Sequence, residues 1–276
     1  MTKTFGLGVA SAVFASALVL AGTASAGNIV LTGHDNDFHE TFGSSASTAA
    51  FTAEVAFVRN GSALPVLTFD AGTELTGTLT ALGVPFFNVD PSNASNITAG
   101  LFDHSVYSAF IVASVQTCGG CDNPVGSGSN IATQLAAITN FFNAGGGILG
   151  LAGASDPLAY AYVPTSATNP GGSPPSSGYV QTAFGASLGI GPVNGDPTHN
   201  FFNEPGTGGL SSAYGVVERL GDPNTGTPET IALNGGTIVC TGPDCVIHGS
   251  VPEPTTMGII GLGLAGLAFI RRWRSA

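Results

Sequence analysis

Five short apolar runs, each followed by polar or helical spacing, dominate the first half of the chain. The runs lie at 28–33, 64–70, 84–90, 107–114 and 146–153. Between them, apolar residues recur at helical intervals, as at Phe51, Val55 and Val58 and again from Ile131 to Phe142. Continuously apolar strands that alternate with helices are typical of a parallel sheet covered on both faces. The pattern therefore predicts an α/β fold, a three-layer sandwich around a largely parallel sheet.

The second half of the chain is less regular. The stretch "PTSATNPGGSPPSSG" at 164–178 has the Pro, Gly and Ser content of a long loop. The stretch "TIALNGGTIVC" at 230–240 contains Asn234-Gly235, a pair that favours a β-hairpin. We therefore expect one α/β domain whose second half is irregular.

The two ends of the chain differ from its interior. Lys3, an apolar stretch over 5–22 and "ASA" at 24–26 have the layout of a cleaved secretory signal. Near the other end, "VPEP" precedes a largely apolar run of 16 residues and then "RRWR". Such a run is shorter than the roughly 20 residues that cross a bilayer easily, although the arginines suit a membrane stop. We thus divide the chain into a signal peptide (1–26), a single domain (27–250) and a sorting tail (251–276).

This tail resembles a PEP-CTERM sorting signal in its three parts and in their order. The resemblance implies that signal peptidase and exosortase process the protein after transient anchoring in the inner membrane. It also implies a final place on the cell surface, or in the extracellular matrix, of a Gram-negative bacterium that makes exopolysaccharide. Exopolysaccharide or other envelope glycans are then the implied partners. The residues that carry the resemblance are Pro252, Glu253, Pro254, Arg271, Arg272 and Arg274.

The charge of the remaining domain is strongly negative. Between residues 27 and 250 the only cations of the Lys and Arg type are Arg59 and Arg219, against 16 acids, a formal charge near −14. So few cations argue against binding to nucleic acid or to anionic membranes, since both depend on Lys and Arg. The unpaired carboxylates have two explanations, a solvated surface or the binding of divalent cations.

The four cysteines form two close pairs. Cys118 and Cys121 lie in "CGGC", and Cys240 and Cys245 lie in "CTGPDC". In an exported chain, even numbers of cysteines at short spacing favour local disulfides. A redox-active pair and a four-cysteine zinc site are the less favoured alternatives.

Three segments resemble the class I glutamine-amidotransferase-like fold, a flavodoxin-like architecture, and especially its ThuA-like branch. They are "VLTGHDNDFH" at 30–39, "FFNAGGGILGLAGAS" at 141–155 and "DPTHNFFNEPGTGGLSSAYGVVE" at 196–218. In the catalytic relatives, a G-x-C-x-G turn presents a cysteine nucleophile, but the matching position here is Ala152. The resemblance therefore implies the fold without its nucleophile. Ser155 is a conceivable substitute that would need a neighbouring base.

The loop "HDNDFHE" at 34–40 carries the densest candidate chemistry, with two imidazoles and three carboxylates. Ligands of open α/β sheets bind beyond the carboxyl ends of the strands, where this loop and the residues after the fifth strand would meet. His34, Asp37 and His39 suit a divalent cation, whereas the alternative is a polar turn that leads into a helix. The candidate ligand-binding residues are His34, Asp37, His39, Ser155, Asp156 and, through the ThuA-like resemblance, His199.

Two classes of function remain open. The first is a non-catalytic surface or matrix protein, associated with exopolysaccharide or biofilm, whose domain binds a sugar, a metal ion or another envelope component. The second is a secreted hydrolase or carbohydrate-active enzyme that uses the 34–40 loop. The sequence assigns no catalytic residue, and a divalent cation is the one cofactor that it suggests.

Overall fold

A computed structural model describes residues 26–41, 45–116, 122–195, 198–241 and 244–248. The strands are β1 (Asn28–Thr32), β2 (Val66–Phe69), β3 (Phe86–Val89), β4 (Ala109–Val112), β5 (Gly147–Gly150), β6 (Tyr179–Gln181), β7 (Gly215–Leu220), β8 (Thr227–Asn234), β9 (Thr237–Thr241) and β10 (Asp244–His248). The α-helices are α1 (Asn36–Thr41), α2 (Ser45–Arg59), α3 (Glu74–Ala81), α4 (Ser127–Ala132), α5 (Leu135–Asn143) and α6 (Ala183–Leu188). Two short 3-10 helices lie at Ala94–Asn96 and Ala99–Leu101.

Eight of these strands form one mixed sheet in the order β3-β2-β4-β5-β1-β8-β7-β6. The first five strands in this order are parallel, and β8, β7 and β6 continue the sheet in antiparallel pairs. The predicted α/β class is therefore confirmed. The flavodoxin-like class is not, because that order is 2-1-3-4-5, whereas β1 lies here between β5 and β8.

Both faces of the sheet are covered, as the apolar strands predict. Successive residues of β1 point to opposite faces, so Ile29 and Leu31 belong to one buried cluster and Val30 to the other. Helix α2 covers the Val30 side with its apolar stripe. Helix α5 covers the opposite side with Ile138, Phe141 and Phe142. Burial of these stripes fixes the three layers.

The helix predicted from Ile131 to Phe142 is divided in the structure. Helix α4 ends at Ala132, and α5 begins at Leu135. The amide of Gln134 donates to the carbonyl of Ile131 at 3.1 Å, a tight turn that separates the two helices. The apolar spacing predicts the buried face of both helices, but it does not predict this turn.

The hairpin predicted at Asn234-Gly235 is wrong as a pairing of β8 with β9. Both edges of β8 are already occupied, by β1 on one side and by β7 on the other. The chain turns away through Gly235 and Gly236, whose φ angles are 70° and 107°, and β9 pairs with β10 in a separate two-stranded sheet. A strand with no free edge cannot accept a further neighbour.

For the predicted disulfides, the structure describes only the backbone of one cysteine pair. Cys240 and Cys245 lie opposite one another in the register of β9 and β10. Cys118 and Cys121 lie outside the described residues, so the two disulfides remain predictions. The sorting tail at 251–276 and residues 1–25 of the predicted signal peptide (1–26) also lie outside the described residues.

Candidate functional site

Strand pairing changes from parallel to antiparallel at β1, which has the parallel neighbour β5 on one side and the antiparallel neighbour β8 on the other. The chain leaves β1 through Gly33, and a Cβ atom there would lie 2.0 Å from the carbonyl oxygen of Asn200 and 2.2 Å from Oε1 of Glu229. Only glycine fits this close approach, which brings the 198–200 segment against the end of β1.

His34 follows Gly33 and is fully buried. Its Nε2 lies 3.0 Å from Oε1 of Glu218, and its Nδ1 lies 2.9 Å from Oγ1 of Thr198. A carboxylate can only accept, so Nε2 carries the proton and Nδ1 accepts from the Thr198 hydroxyl. The edge of the ring also packs against Tyr179, with ring centroids 5.1 Å apart. Both nitrogens are therefore engaged, and neither has a lone pair directed at a metal ion.

Glu218 is aimed at His34 by an irregularity in β7. The register between β7 and β8 shifts on both sides of this residue, and such bulges re-aim side chains. Besides His34, its carboxylate accepts from Oγ1 of Thr230 at 2.5 Å and from the amide of Val193 at 2.9 Å. Oγ1 of Thr230 in turn lies 2.8 Å from Oγ1 of Thr32. This network holds Glu218 in one orientation.

Asp37 performs a structural task at the same edge. Its carboxylate accepts from the Ser114 amide at 3.0 Å and from the Ser114 hydroxyl at 2.6 Å, just beyond β4. Burial raises its pKa from 3.8 to about 7, and Asp35 and Asp70 add to the rise, although the Ser114 bonds oppose it. Asp37 thus joins α1 to the sheet, with both of its oxygens in use.

Burial raises the pKa of two further acids. Glu54 on α2 accepts from Nδ2 of Asn36 at 3.2 and 3.4 Å, and burial raises its pKa from 4.5 to about 8. Glu229 on β8 is completely buried, and burial together with Glu218 raises its pKa well above the usual value. Within the described part of the chain, neither oxygen of Glu229 has a hydrogen-bond partner. Burial therefore disfavours the charged form of Glu229.

The other candidates from the sequence are dispersed. Nε2 of His199 lies 3.2 Å from Oδ2 of Asp35, and the His199 side chain is 23% exposed. Asp156 is buried and accepts from the amides of Gly126 and Leu158 at 3.0 and 2.9 Å, which ties the start of α4 to the loop after β5. Ser155 is exposed, and the side chain of His39 is outside the described residues.

A metal site at this edge receives no support from the described side chains. Among them, no group of three or more His, Cys, Asp or Glu residues is arranged to hold a metal ion. The proposed set of His34, Asp37 and His39 stays a prediction. His34 and Asp37 would both have to leave their present partners to form it.

The turn after β5 differs from a nucleophile elbow in conformation as well as in residue type. Ala152 is buried, donates its amide to the carbonyl of His34 at 3.1 Å, and has no positive φ. The positive φ of this turn, 44°, falls on Ala154. Strain at an elbow serves to expose a reactive side chain. The methyl side chain of Ala152 is not reactive.

A cavity of about 500 Å³ is lined in part by Tyr160. The hydroxyl of Tyr160 donates to the carbonyl of Thr32 at 2.8 Å, so the ring separates the cavity from the carboxyl end of β1. None of the residues that line the cavity is charged. The lining includes Leu135, Val163, Thr165, Ser166, Thr168 and Gly209.

Sequence reasoning missed Thr198, Glu218, Glu229 and Glu54. A signal for the three acids was present, because each interrupts an apolar pattern. Glu218 and Glu229 lie in apolar strands, and Glu54 lies three residues after Phe51 on the stripe of α2. Thr198 carried no signal, because its role depends on a bridge with His34, 164 residues away.

Comparison with known proteins identifies the tail and leaves the domain unmatched. The model of the PEP-CTERM protein-sorting motif matches residues 250–272. No curated protein and no solved structure matches the chain, so the ThuA-like resemblance is not confirmed. In the part of the chain that the structure describes, no helix has the length and apolar content needed to span a membrane. The chain carries an exosortase sorting signal at its C-terminus, which implies export and anchoring through that tail.

Proposed function

We propose that this protein acts at the cell surface or in the extracellular matrix, where its domain binds an uncharged glycan. The observation that carries the proposal is the cavity bordered by Tyr160. Its volume of about 500 Å³ falls in the range of roughly 300–1,000 Å³ that is usual for small-ligand sites.

The chemistry of the lining indicates the class of ligand. Ser166 and Thr168 are exposed and present hydroxyl oxygens, while Leu135 and Val163 present apolar surface. A sugar ring combines hydroxyls with apolar C–H faces and matches both kinds of wall. An anionic polymer would be repelled by a chain of net charge −11, and a cationic ligand would find no carboxylate in the lining.

The wall of the cavity is rigid although it belongs to the long loop. Oγ1 of Thr165 lies 2.5 Å from the hydroxyl of Tyr214, and the carbonyl of Ser166 accepts from the amide of Ser211 at 2.9 Å. Oγ1 of Thr168 donates to the carbonyl of Gly208 at 2.7 Å. Ordered loops of this length are usually functional, and a wall that is already fixed reduces the entropy cost of binding.

The sorting signal supports this location. Exosortase processing would deliver the domain to the compartment that contains exopolysaccharide and other envelope glycans. Ala152 argues against amidotransferase chemistry, so binding rather than acyl transfer at the elbow is the function we assign. Association with exopolysaccharide or biofilm follows from the same reasoning.

The test is calorimetric titration of the purified protein with neutral oligosaccharides, and with uronic acid oligosaccharides as the anionic comparison. Ala167 lines the cavity, and Ala167→Trp should fill it and weaken binding of neutral sugars at least about tenfold. Ala136→Trp is the matched control, on an exposed position outside the cavity. Equal affinity of both variants would place the ligand elsewhere. Preference for the anionic sugars, or binding of none, would contradict the proposal.

A further inference from the structure

We propose that Thr198, His34 and Glu218 form a nucleophile, a base and an orienting acid that hydrolyse a small carboxylic ester. This activity lies at the carboxyl end of β1 and is independent of glycan binding in the cavity. It does not use the elbow, where the chain carries Ala152.

The three side chains lie in the order that the reaction requires. The Thr198 hydroxyl is 2.9 Å from Nδ1 of His34, and Nε2 of His34 is 3.0 Å from Oε1 of Glu218. Both distances are within the range for a hydroxyl polarised by a base and a base oriented by an acid. The two ring nitrogens have exchanged the roles that they have in the Ser-His-Asp triad. Either nitrogen of a neutral imidazole can serve as the base, so the exchange leaves the chemistry intact.

Each member of the set is held by further contacts. The backbones of His34 and Thr198 form an antiparallel bridge, and the amide of His199 donates to the carbonyl of Gly33 at 2.8 Å. Thr230 and Val193 fix the Glu218 carboxylate. Pre-organisation of this kind is what distinguishes a working site from a chance approach of side chains.

Access is restricted to one member. Thr198 is 6% exposed, whereas His34 and Glu218 are at most 1% exposed. The nucleophile is thus the group nearest to solvent, and the base and acid lie behind it. Such narrow access favours a small acyl group such as acetyl over a bulky one.

Tyr179 supplies the donor for the oxyanion. Its hydroxyl contacts the side chain of Thr198 and donates to the carbonyl of Pro175 at 2.7 Å. Rotation about the phenol C–O bond turns the same proton towards an oxyanion formed at Thr198. Donors aimed at developing charge are a large source of catalysis in acyl transfer.

In the reaction, Oγ1 of Thr198 attacks the ester carbonyl carbon while its proton passes to Nδ1 of His34. Collapse of the tetrahedral intermediate breaks the bond to the alkoxy oxygen, which leaves as the alcohol with that proton. Water, deprotonated by His34, then attacks the acyl-threonine, and the acid and free Thr198 are released. Glu218 accepts the Nε2 hydrogen bond throughout and stabilises the imidazolium.

The test follows hydrolysis of p-nitrophenyl acetate by the full-length protein. Thr198→Ala should lower kcat/KM at least about 100-fold, and Thr198→Ser should retain activity. Thr139→Ala is the matched control, since Thr139 is similarly buried but its hydroxyl donates to the carbonyl of Leu135. Glu218 acts through His34, so Glu218→Gln should lower kcat and shift its pH profile.

Mass mapping of the unmodified protein after a brief exposure to the ester gives a second measurement that needs no variant. It should find an acyl group on Thr198. Hydrolysis that is equal in the wild type and Thr198→Ala, or an acyl group absent from Thr198, would overturn the proposal. The three residues would then be a buried packing network.

Discussion

Replacing Glu54 by Gln should make the stability of the domain much less sensitive to alkaline pH. Glu54 is 1% exposed, and its hydrogen bonds come from the neutral amide of Asn36. Burial is the main reason that its pKa rises from 4.5 to about 8, with Glu218 and Asp37 adding to the rise. The folded state therefore holds a proton on Glu54 that the unfolded chain has already lost.

The sign and the size of the effect follow from proton linkage. Between about pH 4.5 and 8 the folded protein binds more protons than the unfolded one, so its unfolding free energy falls as the pH rises. The stabilisation is complete below pH 4.5 and is lost as the pH passes through 8. Each unit of difference between the folded and unfolded pKa corresponds to about 1.4 kcal/mol. Ionisation of Glu54 therefore lowers the unfolding free energy by at most about 5 kcal/mol by pH 9.

The assay is urea unfolding of the wild type and of Glu54→Gln at pH 5 and pH 9. Gln resembles the protonated acid in shape, so the two proteins should have similar stability at pH 5. At pH 9 the variant should be the more stable by several kcal/mol, with an unchanged m-value. Glu74→Gln is the comparison and should have a smaller effect, because burial also raises the pKa of Glu74 but this side chain on α3 is only partly buried.

Parallel pH profiles of the wild type and Glu54→Gln would refute the reasoning. They would show that Glu54 ionises in the folded state without cost, through water or a cation that reaches it. A loss of stability in Glu54→Gln at both pH values would instead show that the two hydrogen bonds from Asn36 outweigh the desolvation of the charge.

Further results are expected for the sorting tail, for metal ions and for two glycines. Mass spectrometry of the exported protein should show that the residues after about Pro254 are absent, since the sorting motif covers 250–272; an intact C-terminus would contradict exosortase processing. Calcium, zinc and manganese should leave the melting temperature unchanged, because His34 and Asp37 already have hydrogen-bond partners; a clear rise would restore the metal hypothesis. Gly147→Ala should lower the unfolding free energy by at least about 1–3 kcal/mol, since its Cβ would lie 2.0 Å from the carbonyl of Val58. Gly77→Ala, on an open face of α3, should raise it by about 0.5–1 kcal/mol in the same urea assay.

Local patterns predicted the elements of the first half well. The apolar runs correspond to the five parallel strands, and the stripe on α2 is buried as expected. These features depend on residues within one element, whose burial is decided by the spacing of apolar side chains. The sorting tail was also predicted from the sequence, because it is a linear motif whose recognition depends on neighbouring residues.

Two candidate residues have partners that the sequence did not reveal. The loop at 34–40 follows the carboxyl end of β1, and its His34 and Asp37 bond to side chains from distant parts of the chain. Asp37 bonds Ser114, 77 residues away, and His34 bonds Glu218, 184 residues away. A spacing rule within the loop contains no information about such partners.

The sequence by itself determined the sorting signal, the α/β class and the acidic composition, with few Lys and Arg residues, of this protein. The tertiary structure alone decided the order of the strands, the exclusion of β9 from the main sheet and the partners of His34. The physical reason is that strand order and register are set by which edges remain free and which faces can be buried together. These conditions involve the whole sheet at once, and β1, with β5 on one side and β8 on the other, is where they bring Thr198, His34 and Glu218 into contact.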